Sequence, residues 1–293
     1  MVGNSATGPA VAGRPVAVRR GAPSFWRASR VRDWAHFLLL PLAGYQSGVE
    51  LGANALALGR GVIIAFCVLA FGYLLNGIAD RGMDDARKNP LVDSGPDRRY
   101  LLTLVALVAI ALSASLLGPW VATAGTLLVL LSGVVYSVGP RLKRYPFLGT
   151  LTNATNFTPL LWVGLPAGAT AAGSGMGLIT GAFVLLLLQN QLIHEAADRG
   201  EDRRGGIRTT FLILGTLGST AVVAGLGLGL AALCLTAGLL GPGIAAGAVF
   251  GLAAPAVTAL RGDQPHIMAT ARWSHRVASL ALGGWLFIAL RVI

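Results

Sequence analysis

Three long stretches of this chain, Tyr100 to Pro140, Tyr145 to Ile193 and Thr209 to Leu260, contain no Asp, Glu, Lys or Arg. A bilayer-spanning helix needs about 20 apolar residues, so each stretch has room for two spans. Each also has a Gly/Pro break near its middle: Gly118-Pro119, the stretch from Gly164 to Gly175, and Leu240-Gly241-Pro242-Gly243. Shorter charge-free runs, Trp34 to Val49, Gly61 to Ala79 and Val277 to Leu290, supply one span each. The predicted architecture is therefore an all-α integral membrane protein with nine transmembrane helices. Composition agrees, since 54% of residues are hydrophobic and 12% charged, whereas an ordinary soluble domain carries about 25% charged residues. Cys67 and Cys234 both lie in apolar runs, which implies neither a disulfide framework nor a cysteine metal site.

The net charge of +11 is a matter of distribution. Of 23 Lys and Arg residues, 21 fall in the segment up to Asp33 and in the loops 80–99, 141–144, 199–208 and 261–276, leaving only Arg60 and Arg291 elsewhere. The positive-inside rule places the N-terminus and these loops in the cytoplasm and the C-terminus outside. The base excess thus reports orientation, and no nucleic-acid partner is expected; no protein partner is predicted either. Residues 1–33, rich in Gly, Ala, Pro and Arg and without an apolar h-region, read as a flexible basic cytoplasmic tail ahead of a transmembrane domain at 34–293. Arg outnumbers Lys by 21 to 2, which suggests a GC-rich bacterial coding sequence and hence a bacterial cell membrane. Trp34, Trp120 and Trp273 fall at predicted helix ends, as interfacial anchors do. Gly173, Gly177, Gly181 and Gly243, Gly247, Gly251 form small-xxx-small ladders expected to let helices pack closely.

Acidic residues are scarce, and nine of the twelve lie in two short segments that follow the second and sixth predicted helices. Asn76, Asp80 and Asp84 are four apart and stack on one helix face, and so do Asn190, His194, Asp198 and Asp202. Asp80 and Asp198 are separated by 118 residues, as are Asp84 and Asp202. The constant offset predicts two related four-helix units facing one another around a central cavity, followed by a ninth helix. Four convergent carboxylates repel unless cations sit between them, and one or two carboxylates per ion, shared with substrate phosphates, is the usual protein setting for Mg2+. Asp85, Asp93, Asp97 and Glu201 read instead as boundary charges balancing neighbouring arginines.

At this point the chain resembles the UbiA superfamily of intramembrane prenyltransferases. NGIADRGMDDARKNP, from Asn76 to Pro90, is similar to that family's first motif, NDxxDxxxD followed by Asn-Pro. HEAADRGEDRRGGIRTT, from His194 to Thr210, is similar to its second, DxxxD followed by a Gly and a Thr. YSVGPRLKRYPFLG, from Tyr136 to Gly149, resembles the loop between the family's fourth and fifth helices. The resemblance implies a prenyl diphosphate donor bound through two Mg2+ ions, and a lipophilic acceptor. It carries over Asn76, Asp80, Asp84, Asp198 and Asp202 as metal or diphosphate residues, Lys143 with Arg141 and Arg144 for the leaving group, and Tyr136 at the site boundary. Gly77 departs from the pattern, which has an Asp there, and Asp85 points about 100° away from Asp84 on a helix.

Ionisation of such a donor leaves an allylic cation that water would quench. Apolar walls exclude water, and aromatic faces stabilise a cation by about 0.5–2 kcal/mol each. Phe71, Tyr73, Phe157 and Trp162 are candidates by depth. Asn153 is placed to reach the diphosphate, Asn156 to bond between helices, and His194 to orient Asp198 or take a proton, while His36, His266 and His275 form no sequence cluster. Two other readings compete: a terpene cyclase of the same superfamily, favoured by Gly77, and a cation-coupled transporter, whose acids would belong at the bilayer midplane.

Overall fold

The charge-free runs break where their Gly/Pro pairs stand. The computed structural model describes residues 22–46, 55–84, 86, 89–94, 97–166, 174–204, 206–247 and 265–292, and all regular structure among them is helical. We label the main helices α1 (Leu40–Gln46), α2 (Ala55–Ala79), α3 (Arg98–Leu116), α4 (Trp120–Ser137), α5 (Leu148–Phe157), α6 (Ser174–Arg204), α7 (Thr210–Thr236), α8 (240–247) and α9 (Pro265–Val292). Short turns at Phe25–Ala28 and Val31–Trp34 and a 3-10 stretch at Ala35–Leu39 lead into α1. Among the described residues, five helices are long and apolar enough to cross a membrane: α2, α3, α4, the 175–200 part of α6, and α7. Leu101, Leu102, Val105, Leu116 and Leu117 of α3 and its end lie exposed, as a lipid-facing surface requires. The protein is an integral membrane protein.

Local chemistry sets the helix ends. Asp97 caps α3 by accepting from Arg99 N at 2.8 Å and pairs with the Arg99 guanidinium at 2.7 Å. Pro119 starts α4. After α7, Gly238 takes φ +76°, and Leu239 N bonds back to Cys234 O at 2.9 Å, closing the helix with a left-handed residue that glycine alone adopts without strain. Pro159 enters just after α5, where the helix tightens into a 3-10 stretch, Thr158–Gly164.

That stretch packs on α1 almost backbone to backbone. A Cβ on Gly44 would stand 1.6 Å from Leu161 O, and one on Gly164 would stand 1.9 Å from Pro41 O. Gly61 of α2 completes the contact, its Cβ position being 3.0 Å from Gly164 Cα. At the same end, Arg60 donates from Nη2 to Leu165 O at 2.7 Å and from Nη1 to Leu117 O at 3.4 Å, so this isolated base ties two helix ends together. The expected ladders are borne out in part. A Cβ at Gly181 would lie 3.2 Å from Leu233 Cδ2 and one at Gly243 2.8 Å from Leu235 Cδ2, both on α7, whereas one at Gly177 or Gly247 would meet no described atom within 4 Å; Gly173 and Gly251 lie outside the described residues.

One further expectation changes. Trp34 is no interfacial anchor: it is fully buried, donates Nε1 to Ser29 O at 2.7 Å and packs edge-on against Phe66. Trp120 is exposed at the start of α4, and Trp273 is exposed as well. The repeat is visible in the helix starts as well. Starts at Trp120 and 240 are 120 apart (240 − 120), and starts at Leu148 and Pro265 are 117 apart (265 − 148), close to the 118 between the acidic motifs. The offset relates each helix to the one four places on, α2 to α6, α4 to α8 and α5 to α9.

Candidate active site

A cavity of about 1770 Å³ lies among α2, α4, α5, α6 and α9, with residues of the segment before α1 closing one side. Asp80, Asp84, Asp198 and Asp202 all line it, as do Asn76, Tyr136, Lys143, Arg144, Asn153, Asn190 and His194. The period-four reading holds beyond α2, because Asp80 N bonds Asn76 O and Asp84 N bonds Asp80 O, both at 3.0 Å. These turns carry the three side chains on one face. On the other wall, α6 continues unbroken to Arg204 and presents His194, Asp198 and Asp202 on successive turns. It ends where Gly206 adopts φ +66° and Ile207 N bonds Asp202 O at 2.9 Å.

Asp80 is buried, at 5% exposure, and is held by two cations from the loop after α4. Arg141 Nη2 donates to Asp80 Oδ1 at 2.8 Å, and Lys143 Nζ donates to Asp80 Oδ2. Lys143 Nζ also donates to Asn76 Oδ1 at 3.0 Å, an oxygen that accepts from Ser137 Oγ at 3.2 Å. Burial pushes the Lys143 ammonium below its ordinary value; Asp80 opposes that shift and Arg141 adds to it. The loop reaches this position through strained backbone, since Arg141 and Phe147 take φ of +52° and +62° on either side of the Leu142–Arg144 turn. Non-glycine residues in this region cost about 1–3 kcal/mol each and persist where contacts over-determine them. Arg141 is fixed by Asp80 and by Ala79 O at 3.3 Å, and Phe147 N by Thr210 Oγ1 at 2.8 Å.

Several neighbours that the sequence does not single out position these groups. Asn89 is buried, donates Nδ2 to Gly77 O at 2.9 Å and to Asp84 Oδ2 at 3.1 Å, and accepts from Leu91 N at 3.0 Å. Its place in the Asn-Pro pair, five residues past Asp84, is the signal that marks it. Glu195 is a buried carboxylate that receives Thr150 Oγ1 at 2.6 Å and Phe211 N at 3.0 Å, tying α5 and the start of α7 to α6. Asn153 Nδ2 donates to Gln191 Oε1 on the same helix pair. His194 Nδ1 stands 3.2 Å from Asp198 Oδ2. Arg144, more exposed, contacts the Met83 sulfur at 3.2 Å.

Gly77 has a local explanation. It faces away from the cavity lining, and a Cβ there would lie 3.2 Å from Leu91 Cδ1 and 3.4 Å from Asn89 Oδ1. A larger side chain would crowd the loop that orients Asp84. Among the aromatic candidates, Tyr73 and Phe157 line the cavity while Phe71 and Trp162 do not. Phe37 stacks on Phe157 with ring centres 4.3 Å apart and, with Phe183, adds apolar wall that sequence depth does not reveal. Asp85 and the side chains of Glu201 and His266 lie outside the described residues.

The arrangement joins four carboxylates on two helix faces, a buried lysine and arginine beside one of them, and a large aromatic-walled cavity. Among the described residues, no three His, Cys, Asp or Glu side chains gather closely enough to enclose a metal ion by themselves. The carboxylates fit a hard cation that takes one or two protein oxygens and completes its shell from a substrate.

Comparison with known proteins gives concordant results. Solved structures sharing the fold include a UbiA homolog from Archaeoglobus fulgidus bound to DMAPP and Mg2+, with TM-score 0.68 and 20% identity over 92% of this chain and 100% of that one. Another is digeranylgeranylglyceryl phosphate synthase, with TM-score 0.72 and 14% identity over 92% of this chain and 98% of that one. A lycopene elongase/hydratase of Corynebacterium glutamicum is 27% identical over 103 residues, which are 35% of this chain and 36% of that relative's length. The family model of UbiA prenyltransferases matches residues 37–289, nearly the whole described fold, and the chain therefore belongs to the UbiA prenyltransferase family.

Proposed function

We propose that this protein transfers a prenyl group from a prenyl diphosphate to a lipophilic acceptor, in a Mg2+-dependent reaction within the membrane. The observation that carries this reading is the convergence of Asp80, Asp84, Asp198 and Asp202 on one cavity, beside the Lys143 and Arg141 cations. The reading extends to the architecture: nine spans, with the acidic motifs and residues 1–33 on the cytoplasmic side of a bacterial cell membrane and the C-terminus outside. Within that tail the turns from Phe25 onward are seated on α2 and α3, with Tyr100 Oη donating to Pro23 O at 3.1 Å.

Bound Mg2+ supplies positive charge that neutralises the leaving diphosphate as the allylic C–O bond breaks. Asp80, Asp84, Asp198 and Asp202 would hold the ion, and Asn76 would add a neutral oxygen. Lys143 and Arg141, fixed at Asp80 before substrate arrives, meet the negative charge that develops on the departing group, and preoriented charge stabilises that change more than the ground state. Tyr73, Phe157 and Phe37 shield the allylic cation from water and offer it ring faces. Tyr136 closes the wall between the cation and the carboxylates. His194, held at Nδ1 by Asp198, takes the proton that the acceptor releases at Nε2.

Purified protein in lipid nanodiscs is expected to release diphosphate from geranyl diphosphate, with a lipophilic acceptor present, only when Mg2+ is supplied. Asp80→Asn and Asp198→Asn should each lower turnover by about 10²–10³-fold, the usual loss when one preoriented transition-state contact is removed. Unchanged turnover in both variants removes the mechanism. The cyclase reading rested on Gly77, and the packing of that residue against Asn89 and Leu91 accounts for glycine there without altered chemistry. A product that is a cyclic hydrocarbon, formed without acceptor, would restore it.

A further inference from the structure

The same cavity is lined by a second set of polar groups, on α9. Arg272, His275, Arg276 and Ser279 are spaced i, i+3, i+4 and i+7, so they share one helix face, and all four line the cavity. Positive-inside anchoring explains arginines that reach out to headgroups, but these are turned inward. Arg276 lies close enough to His36 and Tyr73, and Arg272 to Asp198 and Tyr73, for their charges to be felt there. Arg30 extends the group, its guanidinium 5.6 Å from the Tyr73 ring centre, although Asp33 engages it at 2.6 Å. Arg272 and Arg276 form no ion pair or hydrogen bond with any described residue.

His275 adds an independent sign. It is 2% exposed, its Nε2 lies 3.4 Å from Gln189 Oε1, and its Nδ1 has no partner among the described residues. Ser279 Oγ, one turn deeper, is buried and equally without a partner. Buried polar atoms without partners are rare in folded proteins, and here they edge the same cavity as two unpaired guanidinium groups. Burial holds the Arg272 guanidinium below its ordinary value, with Asp198 opposing the shift, so an incoming anion would be bound where water screens little.

We propose that this face of α9 binds an anionic oxygen group, carboxylate or phosphate, on the acceptor substrate, with Arg272 and Arg276 as its cationic ligands and the Ser279 hydroxyl as a neutral hydrogen-bond donor. The proposal rests on the prenyl-transfer reading and gives the acceptor a chemical class. The donor's diphosphate is held at the Asp motifs beside Lys143. The acceptor's anion is held at α9, so the acceptor's nucleophilic atom projects between the two toward the aromatic wall. A purely hydrocarbon acceptor would leave the α9 face unused.

The test uses the full chain in phosphatidylcholine nanodiscs with Mg2+ and geranyl thiodiphosphate, an inert donor analogue that fills the diphosphate site. Decyl phosphate, decanoate and decanol are then titrated by calorimetry. One or both anions are expected to bind about tenfold tighter than the alcohol, and the stronger of the two identifies the group. In Arg272→Gln/Arg276→Gln the preference should shrink to within about twofold while thiodiphosphate affinity stays constant, and Arg272→Lys/Arg276→Lys should keep most of it. Constant thiodiphosphate affinity also shows that the variants are folded. Equal binding of decanol and the anions in the unmodified protein overturns the proposal, and so does a parallel loss of thiodiphosphate affinity in the glutamine variant, which would give these arginines to the donor. Displacement of decyl phosphate by added phosphatidylglycerol would assign the face to membrane lipid and overturn it too. Failure of the unmodified protein to bind geranyl thiodiphosphate would remove the prenyl-transfer reading, and with it the acceptor assignment.

Discussion

At the scale of single residues, two positions do work that their chemistry alone would not suggest. Asn89 touches no cavity space, yet its amide holds Asp84 and the Gly77 carbonyl together. Partners that orient a metal-binding carboxylate are worth about 10–100-fold in metal affinity or activity. Asn89→Leu, which keeps the volume and removes both bonds, is therefore expected to raise the Mg2+ concentration needed for half-maximal turnover by about that factor. Maximal rate should recover in part at high Mg2+, which a Mg2+ titration of turnover reads directly. A loss of rate that Mg2+ leaves untouched would place Asn89 in folding alone. Gly44 is the second case. Its Cβ position overlaps a backbone oxygen at 1.6 Å, so α1 and the 158–164 stretch must separate to admit a methyl group. Gly44→Ala should destabilise the protein by about 1–3 kcal/mol, the usual cost of overpacking. Gly177→Ala, with open space around it, should be neutral or gain up to about 1 kcal/mol of helix propensity. Thermal unfolding in one detergent compares them, and equal effects would contradict the packing account. This contrast also shows what a glycine pattern conveys. Of the periodic glycines, Gly181 and Gly243 meet α7 side chains while Gly177 faces open space, and the backbone-to-backbone contact at Gly44 pairs residues more than a hundred positions apart and leaves no periodic trace.

At the scale of elements, the loop from Val138 to Phe147 decides how charge meets the acids. Strained backbone at Arg141 and Phe147 delivers Lys143 to Asp80 and Asn76, with burial lowering the lysine's proton affinity. In the proposed mechanism Lys143 serves the leaving diphosphate only while protonated. Because its pKa lies below the ordinary lysine range, activity should fall on the alkaline side at a lower pH than a free lysine would give, and acidification from there should restore it. Lys143→Arg keeps the charge and has no accessible deprotonation, so that alkaline limb should move to higher pH even if the rate at neutral pH drops. A limb that persists unchanged in the arginine variant would belong to another group. The sequence makes part of this element readable, since three bases in four residues between charge-free runs mark a membrane boundary. Which of them reaches an acid is set by the left-handed turn, and neither Arg141 nor Phe147 is a residue type that announces one. The same division holds on α9. Spacing puts Arg272, His275, Arg276 and Ser279 on one face, but only the helix's contact with α6 turns that face inward.

At the scale of the whole molecule, the repeat explains why the proposed catalytic groups come from distant parts of the chain. The correspondence of α2 with α6 brings two copies of one helix face, Asn76-Asp80-Asp84 and His194-Asp198-Asp202, to a single cavity. Period-four stacking and the constant offset make this readable from sequence, because both follow from helix geometry. Which end of the chain carries the additional helix is not readable, since the offset fixes only which helices correspond. A site divided between two units has a thermodynamic consequence. An ion that takes only one or two protein oxygens, the usual number for Mg2+ shared with a substrate, is held on one side and does not by itself join the halves. A prenyl diphosphate with Mg2+ can bridge them, and a ligand that binds only the folded state at about 100 times its Kd stabilises by about 2.7 kcal/mol. Geranyl thiodiphosphate and Mg2+ together are therefore expected to raise the unfolding temperature by a few degrees, while either alone gives little. The gain should disappear in Asp80→Asn and in Asp198→Asn alike, because each removes one side of the bridge. A full stabilisation by Mg2+ alone, or a gain abolished by only one of the two substitutions, would mean that the ion and the diphosphate are held by a single unit.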